Sequence, residues 1–219
     1  MKKVLVLCDD FWHPGEVIKM GMELLEGFEF QFVMDAKDIL TPEYIAQFPV
    51  IVNCKGNNIN GANQNDWFEP GVTEVGPAEL RAYVEAGGGF LSVHAGNTYG
   101  PKRCPEYAEF VGNSFVTHPP RCGIRVHVEK QHPVTEGVAD FEIRDEHYQL
   151  ADVAGDADIL LTSSSETGGN QIAGYVRSMG EGRLCVLTPG HIYEVWQNPM
   201  FQRLMTNALD WCAGGRWAD

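Results

Sequence analysis

The stretch KKVLVLCDD, residues 2–10, decides the fold, because it is a continuous apolar run that stops at two acidic residues. Continuous rather than alternating hydrophobicity predicts a strand that is covered on both faces. A helical pattern (residues 14–27), a second strand (28–35), a short helix (41–48) and a third strand (49–56) follow it. Strand–helix–strand–helix–strand within about 50 residues predicts an α/β fold with a doubly wound, mostly parallel sheet.

The second half of the chain has a different character. A helical segment (77–89) ends in glycines and leads into the apolar strand FLSV (90–93). Beyond residue 120, alternating patterns such as RCGIRVHVEK (121–130) follow one another without an intervening helix, which predicts extra antiparallel strands. An amphipathic helix comes last (198–215). Because no linker or internal repeat interrupts the 219 residues, we expect one domain over residues 1–219.

The composition narrows the range of partners. A net charge of −14 disfavours nucleic acid and anionic membranes as partners, since both attract basic proteins. No apolar run approaches the ~18 residues of a membrane span, and we expect a cytoplasmic protein. The six cysteines show no CxxC spacing and are expected to be reduced. Helix faces rich in methionine and aromatic residues are compatible with a homo-oligomer.

Candidate site residues come from one rule: in doubly wound sheets, ligands bind at the carboxyl ends of the strands. Polar or aromatic side chains follow four of the predicted strands: Trp12 and His13, Asn57, His94 and Asn97, and His191 and Glu194. Their recurrence at one predicted edge of the sheet indicates a site there.

The corner SVHAGN, residues 92–97, resembles a nucleophile elbow in which histidine replaces the nucleophile. His94 could act there as a general base, a metal ligand or a hydrogen-bond donor; alternatively, it is a structural histidine that bonds nearby carbonyl groups. His191 and Glu194 are three residues apart, so the carboxylate could orient the imidazole. We therefore assign catalytic roles to His94, His191 and Glu194.

Substrate-binding roles are expected for Trp12, His13, Asn57, Asn97, Glu146 and His147. Trp12 offers a surface on which a sugar could stack, and Asn57 begins a long loop (57–76) that is typical of a lid or a binding loop. In the segment RDEHYQL (144–150), alternation sends Glu146 and His147 to opposite faces, and which one faces the site stays open.

A metal site is a further possibility. The seven histidines include no HxxxH or HxH pair, so there is no local zinc signature. A divalent metal such as zinc could still be held by His13, His94 and His191, which come from separate loops.

Three segments, GGGFLSVHAGNT (87–98), HPVTEGVADFEIRDEHY (132–148) and the stretch from GNQIAGYV to the last helix (169–215), resemble the trehalose-utilisation (ThuA-like) family. The resemblance implies the flavodoxin-like fold of class I glutamine amidotransferases, with extra strands, and a role in sugar metabolism. It places the amidotransferase elbow cysteine at His94, and the His–x–Glu pair near His191 and Glu194, with wider spacing. A glutaminase needs a thiolate at the corner, so the chain is not expected to be one.

The leading hypothesis is an enzyme that acts on a sugar or an oxidised (keto) sugar by acid–base chemistry, without a cysteine nucleophile. Hydrolysis, elimination and isomerisation all remain open as the reaction. One alternative is a non-catalytic sugar-binding or regulatory module on an amidotransferase-like fold. Another is a metal-dependent hydrolase.

Overall fold

The computed structural model describes residues 1–35, 39–56 and 73–217. Within these ranges the strands are β1 (Lys2–Leu7), β2 (Phe28–Val33), β3 (Val50–Asn53), β4 (Gly89–Val93), β5 (Ser114–Thr117), β6 (Cys122–Val128), β7 (Phe141–Asp145), β8 (Gln149–Ala151), β9 (Asp158–Ser165), β10 (Gly169–Met179) and β11 (Gly182–Leu187). The helices are α1 (Gly15–Met22), α2 (Pro42–Ile45), α3 (Pro77–Glu85), α4 (Pro105–Val111), α5 (Tyr193–Trp196) and α6 (Pro199–Ala213).

One large mixed sheet organises the described part of the chain, in the order β2-β1-β3-β4-β11-β10-β9-β6-β7. The first five strands in this order are parallel to one another, and the remaining pairs are antiparallel. The parallel part repeats the strand order of flavodoxin-like folds, with β11 as its fifth strand. The predicted fold class, including the extra antiparallel strands, is confirmed.

Strand β1 shows why the opening stretch is apolar throughout. Val4 and Val6 face one hydrophobic cluster and Leu5 and Leu7 face the other, and all four are fully buried. Residues from α1 and α6 belong to the first cluster, and residues from α3 and α4 to the second. With helices on both faces, successive side chains of a strand are equally shielded from water, so both must be apolar.

The parallel strands bring distant parts of the sequence to one edge of the sheet. Strands β1, β3, β4 and β11 are neighbours and all end at the same edge, so the loops after them lie side by side. The segment between β7 and β8 reaches the same edge, since Tyr148 packs against His94. Among the described helices, none is long and apolar enough to cross a membrane.

Candidate metal centre

His94 occupies a sharp corner at the end of β4. Its φ angle of +45° lies in the left-handed region, and a short 3₁₀ turn (His94–Asn97) follows directly. A side chain at Gly96 would collide with the main-chain carbonyl of Asn53, so glycine permits the turn to lie this close to β3. The corner therefore has the tight strand-to-turn geometry that the sequence predicts, with an imidazole at its tip.

Within the described part of the chain, one nitrogen of the His94 ring has a hydrogen-bond partner and the other has none. Nδ1–H donates to the carbonyl oxygen of Thr188 at 2.8 Å, which leaves the lone pair on Nε2. Nε2 is buried, forms no hydrogen bond within the described residues, and lies 3.4 Å from Oε2 of Glu146. The ring also stacks on Tyr148, with 4.0 Å between centroids. His94 is thus held rigidly with one free nitrogen directed at a carboxylate.

His13 is oriented by Asp10, which precedes it in the loop after β1. Oδ1 of Asp10 accepts the Nδ1–H of His13 at 2.7 Å and also accepts the main-chain N–H groups of Trp12 and His13. Its Oδ2 accepts the N–H of Gly56 at 2.6 Å. Burial alone would raise the pKa of Asp10, but these bonds, led by that to His13, lower it, so the group is a carboxylate. The arrangement fixes the His13 tautomer with its lone pair on Nε2.

His191 is positioned by the turn after β11. Oδ2 of Asp145 accepts the N–H groups of Gly190 and His191, at 2.8 and 3.4 Å. On the other side of the turn, the indole N–H of Trp196 donates to the carbonyl of Gly190 at 3.0 Å. Gly190 has a φ of +142°, which favours glycine. Nδ1 of His191 consequently lies 3.4 Å from Oε2 of Glu146, buried and without a hydrogen bond in the described structure.

Four potential ligands converge at this point. One ligand atom from each of His13, His94, His191 and Glu146 can be chosen so that all lie within 4.8 Å of one another. Imidazole nitrogen and carboxylate oxygen are ligands that zinc and related divalent cations accept. Asp10 and the Thr188 carbonyl hold the far nitrogens of two rings, as the outer partners of metal-bound histidines commonly do. The residues present therefore fit a divalent cation.

The protonation states also suit a cation. Burial lowers the pKa of His94 to about 4 and also lowers the pKa of His191. Burial by itself raises the pKa of Glu146, but the surrounding imidazoles, led by His94, outweigh it and lower that pKa to about 2. At neutral pH these groups are neutral imidazoles and an ionised carboxylate, which are the forms that bind metals.

The cluster opens into a cavity of about 580 Å³, whose lining includes Trp12, His13, Phe115, His118, Glu146 and Tyr148. His118 contributes a further imidazole on the wall, with Nε2 3.6 Å from Oε2 of Glu146. Its Nδ1–H donates to the carbonyl of Pro119 at 2.9 Å. A shallower depression of about 740 Å³ lies beside β6 and β7, away from this cluster.

The family model for trehalose utilisation, ThuA, matches residues 3–212 of the chain. The chain belongs to the ThuA family. No curated protein sequence matches it significantly.

Solved structures share the ThuA fold at low identity. A ThuA-like protein from Parabacteroides merdae has a TM-score of 0.76 and 18% identity, covering 100% of this chain and 92% of that one. A ThuA-like protein from Bacteroides uniformis has a TM-score of 0.73 and 19% identity, with 96% and 91% covered. A cytoplasmic protein from Salmonella typhimurium has a TM-score of 0.66 and 13% identity, with 97% and 99% covered. These likenesses concern the fold.

Two residues predicted to bind substrate instead make internal contacts in this ThuA-family chain. Asn97 is buried, accepts a hydrogen bond from Ser92, and donates to the carbonyl of Leu187 at 3.0 Å, which links β4 to β11. His147 is buried between the hydroxyls of Ser163 and Ser165. Between Glu146 and His147, the structure therefore directs Glu146 into the cavity and His147 away from it.

Glu194 does not contact His191. It is exposed, and the described structure gives it no hydrogen bond or ion pair. Within a helix, side chains three residues apart are neighbours. Helix α5 begins at Tyr193, after the extended residue Ile192, so His191 lies outside it. Glu146 takes the place beside His191 that the sequence had suggested for Glu194.

Trp12 lies at the mouth of the cavity, and its side chain is 69% exposed beside that of Phe11. Asn57 and most of the loop that it begins lie outside the described residues. Sequence reasoning did not assign roles to Asp10, Asp145 or Tyr148. The role of Asp10 could have been predicted from its position three residues before His13. At that spacing, a carboxylate can accept hydrogen bonds from the main-chain N–H groups that follow it.

Proposed function

We propose that this ThuA-family protein is a divalent-cation-dependent enzyme of carbohydrate metabolism that acts on a sugar or an oxidised (keto) sugar. The cation is held by His13, His94, His191 and Glu146. The observation that carries the proposal is the convergence of these four ligand atoms within 4.8 Å of one another. The trehalose-utilisation family supports a carbohydrate-related role.

For these four residues, we favour a role in metal binding over a role in metal-free acid–base catalysis. A general acid or base works best when its pKa lies near the working pH. The pKa values of His94, about 4, and Glu146, about 2, are far below neutrality. These two groups would be weak bases at pH 7, whereas as cation ligands they need no proton removed.

The cavity suits a small polyhydroxylated substrate. Its volume of about 580 Å³ falls in the ordinary range for small-molecule sites. The exposed indole of Trp12 at the mouth offers a flat apolar surface against which a sugar ring can pack. A bound cation would polarise a carbonyl or hydroxyl oxygen of the substrate. The expected partner is thus a sugar rather than nucleic acid, in keeping with the net charge of −14.

A covalent thioester route is disfavoured. The corner that carries cysteine in the amidotransferases carries His94 here, and all six cysteines are free thiols. Four of them are buried, and burial raises the pKa of each, to about 12 for Cys8. A thiol with so high a pKa is a poor nucleophile.

Two structural neighbours from Salmonella typhimurium are described as cytoplasmic proteins, and we place this activity in the cytoplasm as well.

The test combines metal analysis with turnover. The purified chain is stripped with a chelator, reloaded with Zn²⁺ or Co²⁺, and assayed with trehalose and with a 3-keto disaccharide. We expect about one bound ion per chain and turnover of one substrate that depends on the ion. Glu146→Gln should weaken binding and turnover by about tenfold or more, whereas the matched variant Glu194→Gln should leave both unchanged.

Two results would count against the proposal. A metal-free preparation with full turnover would favour acid–base catalysis without a cation. Sugar binding without turnover of either substrate, unaffected by Glu146→Gln, would favour the sugar-binding module.

A further inference from the structure

Tyr148 packs tightly against the candidate metal centre. It lies between β7 and β8, only 2% of its surface is exposed, and it lines the cavity. Its ring stacks on His94 at 4.0 Å between centroids and meets Phe115 edge-on at 4.9 Å. The ring also stacks on His118, with 5.6 Å between centroids, and these three ring contacts together hold the position of the hydroxyl group.

The Tyr148 hydroxyl is directed at His13. The oxygen lies 3.4 Å from Nε2 of His13. With the Nδ1–H bonded to Asp10, a neutral His13 carries its lone pair on Nε2, and the hydroxyl is then the donor in this contact. A phenol keeps its proton at neutral pH, so the hydroxyl can act as a donor.

We propose that Tyr148 is a hydrogen-bond donor to the oxygen ligand of the bound cation. The inference rests on the proposed function, because it requires the cation. When the cation takes the lone pair on Nε2 of His13, the hydroxyl loses its acceptor. A coordinating imidazole nitrogen lies about 2.0–2.1 Å from zinc, so a hydroxyl 3.4 Å from that nitrogen stands beside the coordination sphere.

The exchange of partners has a chemical consequence. A fixed O–H donor stabilises negative charge that develops on a bound oxygen, such as an alkoxide or an enolate. A nitrogen ligand at the same coordination position offers no such acceptor and gains nothing. Tyr148 would therefore favour oxygen ligands over nitrogen ligands. It would also slightly oppose binding of the cation, because the cation must displace the hydrogen bond between the Tyr148 hydroxyl and His13.

The experiment uses the full chain loaded with Co²⁺, whose visible absorption reports ligands at its open position. Glycolate serves as the oxygen ligand and imidazole as the nitrogen ligand, and each is titrated into the wild type, Tyr148→Phe and Tyr175→Phe. Tyr175 is the matched control, since its buried hydroxyl bonds Val111 and Asn113, away from the centre. We expect Tyr148→Phe to weaken glycolate binding by about tenfold or more, as loss of a bond to a charged acceptor does.

The other titrations separate the possible roles. Imidazole affinity should be unchanged in both variants, and Co²⁺ should bind Tyr148→Phe as tightly as the wild type or more tightly. Glycolate affinity within about twofold of the wild type in Tyr148→Phe would overturn the donor role. A parallel loss of Co²⁺, glycolate and imidazole binding would overturn it in favour of a packing role. Failure of the wild type to bind Co²⁺ would instead overturn the proposed function itself.

Discussion

His94 and His147 are both buried histidines, yet their surroundings differ in one decisive respect. Both ring nitrogens of His147 are paired, with the hydroxyls of Ser165 and Ser163 at 2.7 and 2.8 Å. Among the residues that the structure describes, His94 finds a partner for Nδ1 alone, and Nε2 faces the carboxylate of Glu146 without a hydrogen bond. Serine hydroxyls can donate or accept, so they satisfy an imidazole in either tautomer.

The contrast separates a structural histidine from a potential ligand. A buried polar atom without a partner is unusual in a folded protein and calls for an explanation. In His94 the explanation is at hand, because two further imidazoles and a carboxylate surround the unpaired nitrogen. Burial lowers the pKa of both histidines, so the pKa direction does not distinguish them. Hydrogen-bond pairing does.

The largest expected effect is on cation binding. Asparagine tolerates the left-handed backbone at position 94, so His94→Asn should fold. Its side chain is too short to place a ligand atom where Nε2 of His94 lies. We expect it to bind Co²⁺ at least about 100-fold more weakly, because removing a ligand should cost no less than removing an outer partner. Calorimetric titration measures this, with His147→Ala as the control that keeps its affinity. Equal losses in the two variants would erase the distinction drawn between the two histidines.

The second prediction concerns stability. His147→Ala removes the ring partner of the buried Ser163 hydroxyl and of the half-buried Ser165 hydroxyl, which still accepts the N–H of Gly168. The free energy of unfolding should fall by about 1–3 kcal/mol, and His147→Gln should recover part of it. Urea denaturation of the metal-free protein provides the measurement. Unchanged stability would mean that the serines readily find other partners.

The third prediction tests the turn that carries His191. Asp145→Ala removes the acceptor of the Gly190 N–H, and Co²⁺ affinity should fall by about tenfold, as for other outer partners of metal ligands. Asp145→Asn keeps an acceptor oxygen and should restore most of the affinity. If both variants bind Co²⁺ like the wild type, the turn does not depend on this side chain.

The smallest effect is a pH dependence of the metal-free protein. Folding lowers the pKa of His94 from 6.5 to about 4, so between these values the unfolded chain binds more protons than the folded one. Stability should therefore fall as the pH drops through this window, by at most about 1.4 kcal/mol per pH unit from His94. The wild type should lose stability from pH 6.5 to 5 more steeply than His94→Asn in urea denaturation. Parallel curves would show that His94 titrates normally in the folded protein.

The parallel half of the fold was readable from the sequence, and part of the site followed from it. Residues 4–7 are apolar without interruption because helices cover both faces of β1. Once the parallel strands are recognised, topology alone brings the residues after them to one edge. His13, His94 and His191 follow three such strands, and the structure brings them together.

The rest depended on geometry that spacing does not encode. Alternation sends Glu146 and His147 to opposite sides, but it does not say which side faces the cavity when the strand ends at Asp145. Glu194 was tied to His191 by a separation of three residues, but its side chain is exposed, because α5 begins only at Tyr193 and His191 lies outside it. Asn97 was placed correctly at the edge of the sheet, yet its amide points inward and links two strands.

The position of β11 has a consequence for how the protein is made. This strand is the last in the described sequence, yet it lies inside the large sheet, between β4 and β10. Until it is in place, β4 has an open edge, and the antiparallel strands have no parallel sheet to join. A chain emerging from the ribosome would hold most of its residues as a partly formed, exposed sheet until β11 is released. A fragment ending before β11 should therefore aggregate rather than fold.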